Sequence, residues 1–334
     1  MGYRPLLSPQ CKKETKHTDK VEGLQMKDIP CIFCNRKTDR IVIEEGGYKG
    51  RKCPTCGLIY ISPRPSLDEI HNLYRLDQAL TSAKSLIADF ISKRLVAKHH
   101  LRLIKFITSG SMLEIGAGAG YFLHEARKEG FDVYGIELNE ILAKFITENL
   151  GIPCELSPLS DSTFKGKLFD VIYHCDVISH FYDPILEFQK MNKKLKKGGF
   201  LIFETGNLGD VEEKYYKYFV SFQYPDHLFF FSVGNLKKLL SRTGFETISI
   251  HQFSILPELI IYRVLKQFMH SKPNITKKPR ENNKTRIKAD ESLLKQVIRN
   301  IYGCFDFLVR YKLGYLLPKK GQPQTVIVVA QKLL

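Results

Sequence analysis

Three groups of residues in this sequence have the types and spacing that chemistry needs. Cys31-x2-Cys34 and Cys53-x2-Cys56 are two CxxC pairs, eighteen residues apart. Two such turns complete a tetrahedron around one ion, and four sulfur ligands leave no open coordination position, so the pattern predicts a structural zinc site. The second group is "LEIGAGAG", Leu113 to Gly120, in which Gly116, Gly118 and Gly120 alternate with Ala117 and Ala119. Glycines there let the backbone pass close to a ligand with no side chain in the way. Glu137 lies 21 residues after Gly116, at the end of the next expected strand. A carboxylate at that place can accept hydrogen bonds from both hydroxyls of a ribose. The dinucleotide fingerprint G-x-G-x-x-G is not met, because the third glycine comes one residue early and Tyr121 takes its slot.

The third group is "SFQYPDHLFFFS", with Tyr224, Asp226 and His227 together and three phenylalanines beyond. A histidine beside a carboxylate is expected to titrate near neutrality and suits a general base. An extended chain would put Tyr224 and Asp226 on one side and His227 on the other, so convergence requires a turn, which Pro225 favours. His180, in "DVISHF", is expected at the C-terminal edge of a strand, where open sheets place their ligands. His99, His100 and His174 carry no such context.

The elements that must position these groups follow from periodicity. Residues 1–28 are polar and read as a disordered N-terminus, and 29–62 as a zinc ribbon whose hairpin turns at "GG" after "RIVIEE". A capping box, Ser66 with Glu69, opens the next helix. Residues 83–108 carry a helical apolar stripe. From there strands and helices alternate: "SMLEIG", "YFLHEARKEG", "FDVYGIEL", "NEILAKFITENLG", "KLFDVIYHCDVISH", "PILEFQKMNKKLKKGG", "FLIFET", "SVGNLKKLLSRTGF" and "ETISIHQF". Alternation of this kind predicts an α/β fold with a parallel, doubly wound sheet over 63–254. Residues 255–320 read as an insertion of two amphipathic helices joined by a basic loop, Ser271–Lys288, and 321–334 returns the last sheet strand, "QTVIVVAQK". Those helices could line a substrate site, pair with another subunit or rest on a membrane surface.

The glycine loop and its acidic partner, "LEIGAGAGYFLHEARKEGFDVYGIELN", resemble the cofactor motifs of class I S-adenosylmethionine-dependent methyltransferases. "FDVIYHCDVISHFYDPILEFQKMNKKLKKGGFLIFET" resembles the later motifs of that family, in the family's order. The likeness covers roughly 110–253 and the last strand. Together with the cysteine pairs it resembles a sub-group that includes sugar C-methyltransferases. The resemblance implies a Rossmann-like methyltransferase sheet. It implies that Glu114, Gly116, Ala117, Gly118 and Gly120 surround the cofactor's amino-acid end and Glu137 holds its ribose. Leu138 would flank the adenine, Asp161 would reach its amino group, and Asp176 would lie beneath the methionine part. The sub-group carries Tyr-x-Glu-His where this chain has Tyr224-Pro225-Asp226-His227, and its acid–histidine pair is assigned to acid/base work. Sub-group members also carry a further C-terminal α/β domain, for which too little chain follows "ETISIHQF". Transfer to oxygen or nitrogen is therefore as well supported as transfer to carbon.

Composition narrows the acceptor. The net charge of +16 favours an anionic partner. A small anionic or glycosidic substrate, such as a nucleotide-linked sugar, a glycan or a lipid-linked intermediate, is the leading expectation. RNA is the weaker candidate: the charge collects in one loop, and basic and aromatic residues do not interleave as in a stacking platform. A cofactor-binding scaffold without turnover is the non-enzymatic alternative. The first 30 residues lack the apolar centre of a signal peptide. Charges break every apolar run short of the ~20 residues of a membrane span. The expectation is a cytoplasmic protein with, at most, peripheral membrane contact.

Overall fold

The computed structural model describes residues 26–70, 78–161, 164, 166–270 and 293–333. At the front lie strands β1 (Met26–Lys27), β2 (Ile41–Glu45), β3 (Tyr48–Lys52), β4 (Ile59–Ile61) and β5 (Arg64–Pro65). After them come β6 (Ser111–Ile115), β7 (Asp132–Glu137), β8 (Cys154–Leu156), β9 (Phe169–Cys175), β10 (Leu195–Gly206), β11 (Phe229–Phe230), β12 (Phe245–Ser254) and β13 (Gln324–Lys332). Seven strands form the central sheet, in the order β12-β13-β10-β9-β6-β7-β8.

Five neighbours in that sheet, β10, β9, β6, β7 and β8, run parallel as expected. β13 does not: it is antiparallel to both β10 and β12. The chain leaves β12 at Ser254 and re-enters the sheet at Gln324, its register partner. Re-entry at the end just left makes the returning strand run backwards. The central strands are buried on both faces, and alternate residues feed two cores. Val171, Tyr173, Ile202 and Val329 meet the helices Phe90–Ile104 and Tyr121–Lys128. Ile172, Leu201, Phe203 and Val328 meet Pro184–Lys194 and Val233–Arg242.

Local signals set most boundaries. Asp183 caps Pro184–Lys194 by accepting the Leu186 N–H, and proline stands in its first turn. Ser232 and Asn235 form a capping box for Val233–Arg242. Ser66 and Glu69 form the expected one. Two boundaries differ from expectation. The single helix expected over 83–108 is two, Gln78–Ala88 and Phe90–Ile104, broken at Asp89, whose buried carboxylate faces Arg299 at 3.8 Å. The helix expected to reach Gly198–Gly199 stops at Lys194, because Leu195 is buried, extended and paired with Phe169.

The front of the chain is also less separate than its sequence suggests. Met26 and Lys27 already pair with Pro65 and Arg64, inside the segment expected to be disordered; the rest of that segment, 1–25, lies outside the described residues. The sheet β2-β3-β4 takes its fourth strand from β11, far along the chain. One apolar cluster runs from Cys31, Tyr48 and Leu58 through Phe229 to Leu236. The basic loop expected at Ser271–Lys288 lies outside the described residues.

Candidate functional site

The glycine loop follows β6 directly. Gly116, Gly118 and Gly120 have φ of +69°, +56° and +71°. This left-handed region excludes most side chains, which is why three glycines stand here. At Gly116 a Cβ would come within 2.7 Å of the Val177 side chain, and at Gly118 it would point into open space. At Gly120 a Cβ would meet the Ile146 side chain at 2.6 Å, so Gly116 and Gly120 allow close packing while Gly118 leaves this glycine cradle open on one side. Ala117 is buried beneath it.

Two carboxylates face this loop. Glu137, at the end of β7, accepts the N–H groups of Gly118 at 2.7 Å, Leu138 at 2.8 Å and Asn139 at 2.9 Å. Burial pushes its pKa up, against those three donors. The arrangement fixes the carboxylate at the lip of the cradle with lone pairs to spare. Glu114 is buried near the end of β6, and its Oε2 has no hydrogen-bond partner among the described residues. Burial, reinforced by the Glu137 charge, holds its pKa well above the usual carboxylate range. A buried, orphaned carboxylate oxygen beside an open glycine loop fits a ligand that brings a cation.

Of the other residues expected at the cofactor, Leu138 is exposed beside Glu137. Asp176 follows β9 with φ +55°, its N–H bonded to the Glu204 carbonyl at 2.9 Å. Asp161 ends a short 3-10 turn, Leu159–Asp161, and its side chain lies outside the described residues.

The turn required after Tyr224 is present: the His227 N–H reaches back to the Gln223 carbonyl at 3.0 Å. It brings together His180, Asp226 and His227. The His180 Nδ1 is 3.1 Å from the Asp226 carboxylate and 3.1 Å from the Asp226 carbonyl, and the two imidazole rings meet edge to face at 4.7 Å. His180 lies three residues beyond Val177, the side chain that a Cβ at Gly116 would meet. Tyr224 is placed differently. Its hydroxyl lies against Gly50 of β3, and its ring packs near Phe230.

The expected near-neutral titration of His227 does not hold. Its side chain is buried, and desolvation together with the neighbouring His180 pulls its pKa down to about 3. At neutral pH it is an uncharged imidazole.

Two contributors escaped the sequence reading. Glu45, at the end of β2, accepts the Phe222 N–H at 2.7 Å, the Ser221 hydroxyl at 2.8 Å and the Tyr224 N–H at 3.2 Å, and so anchors the loop that carries Asp226 and His227. Glu204, at the end of β10, is buried with His100 Nε2 at 2.9 Å and the Tyr311 hydroxyl at 2.7 Å. Burial alone would raise its pKa, but His100 overrides this and holds it at about 2. His100 Nδ1 in turn meets the Tyr173 hydroxyl at 2.6 Å. The only sequence signal for Glu204 was a carboxylate at the end of an apolar strand.

At the front, the two CxxC turns are built alike. The Asn35 N–H bonds the Cys31 carbonyl at 2.8 Å, and the Gly57 N–H bonds the Cys53 carbonyl at 2.9 Å. Asn35 and Gly57 both have positive φ. The sulfurs of Cys31, Cys34, Cys53 and Cys56 lie within 4.8 Å of one another, a set that could hold a metal ion. Cys31 and Cys53 belong to the larger apolar cluster, with Cys34 and Cys56 packed against it.

A family model described as "Methyltransferase domain" matches residues 87–250. Phosphoethanolamine N-methyltransferase 1 of Zea mays is 34% identical over 94 residues, 26% of this chain and 19% of that protein. The ubiquinone biosynthesis O-methyltransferase of Cereibacter sphaeroides is 28% identical over 101 residues, 29% of this chain and 41% of that protein. The chain thus spans less than half of either relative. Haemonchus contortus phosphoethanolamine N-methyltransferase 2, solved with S-adenosyl-L-methionine, shares the fold with a TM-score of 0.50 at 17% identity, over 83% of this chain and 63% of that one. Residues 87–250, just under half of this chain, are thus similar to a methyltransferase domain, and the central sheet shares that fold.

Proposed function

We propose that the protein transfers a methyl group from S-adenosylmethionine to a small-molecule acceptor, as the names of its relatives suggest of them. The observation that carries this reading is the glycine cradle with Glu137 bonded to the Gly118 N–H at 2.7 Å and the orphaned Glu114 oxygen behind it. Glu137 would hold the ribose hydroxyls, and the buried Glu114 would give up its proton to pair with the ammonium of the methionine part when the cofactor enters. Leu138 would cover the adenine, with Asp161 at its amino group and Asp176 under the methionine part. When bound, S-adenosylmethionine supplies an electrophilic methyl group on a sulfonium.

The chain's own residues then have to align an acceptor and take its proton. We infer that His180 takes it. A Nδ1–H donated to Asp226 leaves the lone pair on Nε2, and the Asp226 carboxylate stabilises the imidazolium that forms. His227, neutral and buried against His180, shapes the site and can hydrogen-bond the acceptor, while Tyr224 supports the loop from the ribbon side. Cys31, Cys34, Cys53 and Cys56 would hold a structural zinc ion, on the chemistry of four clustered thiols. A sugar or other glycosidic acceptor, anionic in view of the net charge, is the finer form of this proposal.

Transfer of a labelled methyl group from S-adenosylmethionine into a small-molecule extract, run beside total RNA, tests the reading. Label in the small-molecule fraction is the expected result. Label in RNA alone would replace the acceptor class, and label in neither would favour the scaffold.

A further inference from the structure

One helical run carries apolar side chains on both of its faces. It spans Leu293–Phe307, a π-helical stretch Leu308–Leu313 and a last turn Gly314–Leu316. One face is buried in the usual way: Gly303 packs on Ser92, Arg310 pairs with the buried Glu258 at 2.7 Å, Tyr311 reaches Glu204, and Gly314 lies on the Ser254 backbone. The opposite face should then be polar. Instead Val297, Ile298, Ile301, Phe305, Leu308 and Leu316 line it, with Ile301 65% and Leu316 78% exposed. The steps between them are those of one helical stripe. Ile260 and Val264, on the neighbouring helix Leu256–His270, are exposed as well.

Lysines and an arginine rim the stripe. Lys312 is exposed on its line, Lys320 is exposed beyond it, and the Lys319 ammonium sits 4.9 Å from the Tyr315 ring. Next to Leu256–His270, Arg263 and Lys217 both lie on the Tyr218 ring. The acids nearby are engaged by cations: Asp306 and Glu258 with Arg310, and Glu212 with Lys214. The sequence joining the two helices, 271–292, carries seven Lys or Arg residues against three acids, Glu281, Asp290 and Glu291. Apolar residues rimmed by lysine, arginine and tyrosine match the boundary of a bilayer with anionic headgroups. A second copy of this chain fits less well, since a two-fold contact would oppose like charges.

We propose that this face docks the protein on an anionic lipid surface, with the stripe in the acyl boundary and the cations among the headgroups. Among the described residues no helix is long and apolar enough to cross a membrane, so the contact is peripheral. It is independent of the methyl-transfer reading. Sedimentation of the full chain with phosphatidylcholine vesicles, with and without phosphatidylserine, tests it.

Wild type should sediment with the phosphatidylserine vesicles and lose them in high salt. Ile301→Glu should abolish binding, and Lys312→Glu should weaken it ~5-fold or more, the weight of a cation at an anionic surface. Both side chains are exposed, so unchanged circular dichroism and melting would show that the variants fold. Wild type left in the supernatant with both vesicles overturns the proposal. So does binding that Ile301→Glu leaves intact. A sedimentation mass of two chains, halved by Ile301→Glu without vesicle binding, would assign the face to a dimer instead.

Discussion

The carboxylate of Glu45 accepts the backbone N–H of Phe222 at 2.7 Å, across 177 positions of sequence. The same side chain takes the Ser221 hydroxyl and the Tyr224 N–H, so one glutamate on the cysteine-bearing hairpin secures the loop behind the histidine cluster. Glu45→Ala should cost about 1.5–3 kcal/mol, the scale of hydrogen bonds to a charged group. Amide hydrogen exchange should accelerate at Phe222, Tyr224 and His227 before it does so in β6 or β9. Uniform exchange across all of these would mean that the loop holds itself.

The two CxxC turns predict about one equivalent of zinc by elemental analysis of the purified protein. Removing it with a chelator, or Cys53→Ser, should loosen β2–β4 and, through the pairing of Phe229 with Tyr60, the segment after His227. A metal-free protein with an ordered front sheet would end the zinc claim.

At the glycine cradle, Glu137→Ala should weaken S-adenosylmethionine binding by about 1.5–3 kcal/mol in calorimetry, again on the scale of hydrogen bonds to charge. NAD should bind poorly to the wild type, because the third glycine of its fingerprint is displaced. Equal or tighter binding of NAD would overturn the assignment.

For the histidine cluster, His180→Ala should reduce methyl transfer by ~10²–10⁴-fold, the usual size of a general base, with cofactor affinity within a few-fold. His227→Asn should lower the rate while leaving the shape of its pH profile near neutrality unchanged, because His227 is already neutral there. A profile that flattens in His227→Asn would make His227 the titrating base.

Buried histidines also set an acid limit. Burial lowers His174 to about 3 and His227 to about 3. The unfolded chain, with histidines near pKa ~6.5, takes up these protons first on acidification. Their contribution to stability is whole above pH ~6.5 and is lost as pH falls towards 3, at about 1.4 kcal/mol per pH unit for each group. His174 stacks on Phe203 in the core, so His174→Leu should make thermal midpoints fall less steeply between pH 6.5 and 4. An unchanged slope would show that His174 is protonated in the folded state.

What the sequence by itself determined is what short-range physics decides. The glycines at Gly116, Gly118 and Gly120, the paired CxxC turns, the Ser66–Glu69 capping box and the placing of Glu137 all depend on a few neighbouring residues and on the strand-helix period. The end of Pro184–Lys194 at Lys194 was not legible, because it goes with a strand partner far away, Phe169, and the break at Asp89 carries no local signal in the sequence. The direction of β13 depends on where a long insertion returns the chain to the sheet. Only the tertiary structure joined Glu45 to Phe222, set His180 on Asp226, and buried Glu204 with His100 and Tyr311. It also decided the charge state of His227. A pKa is the sum of desolvation and fields from every element packed around the group, and no local pattern contains that sum.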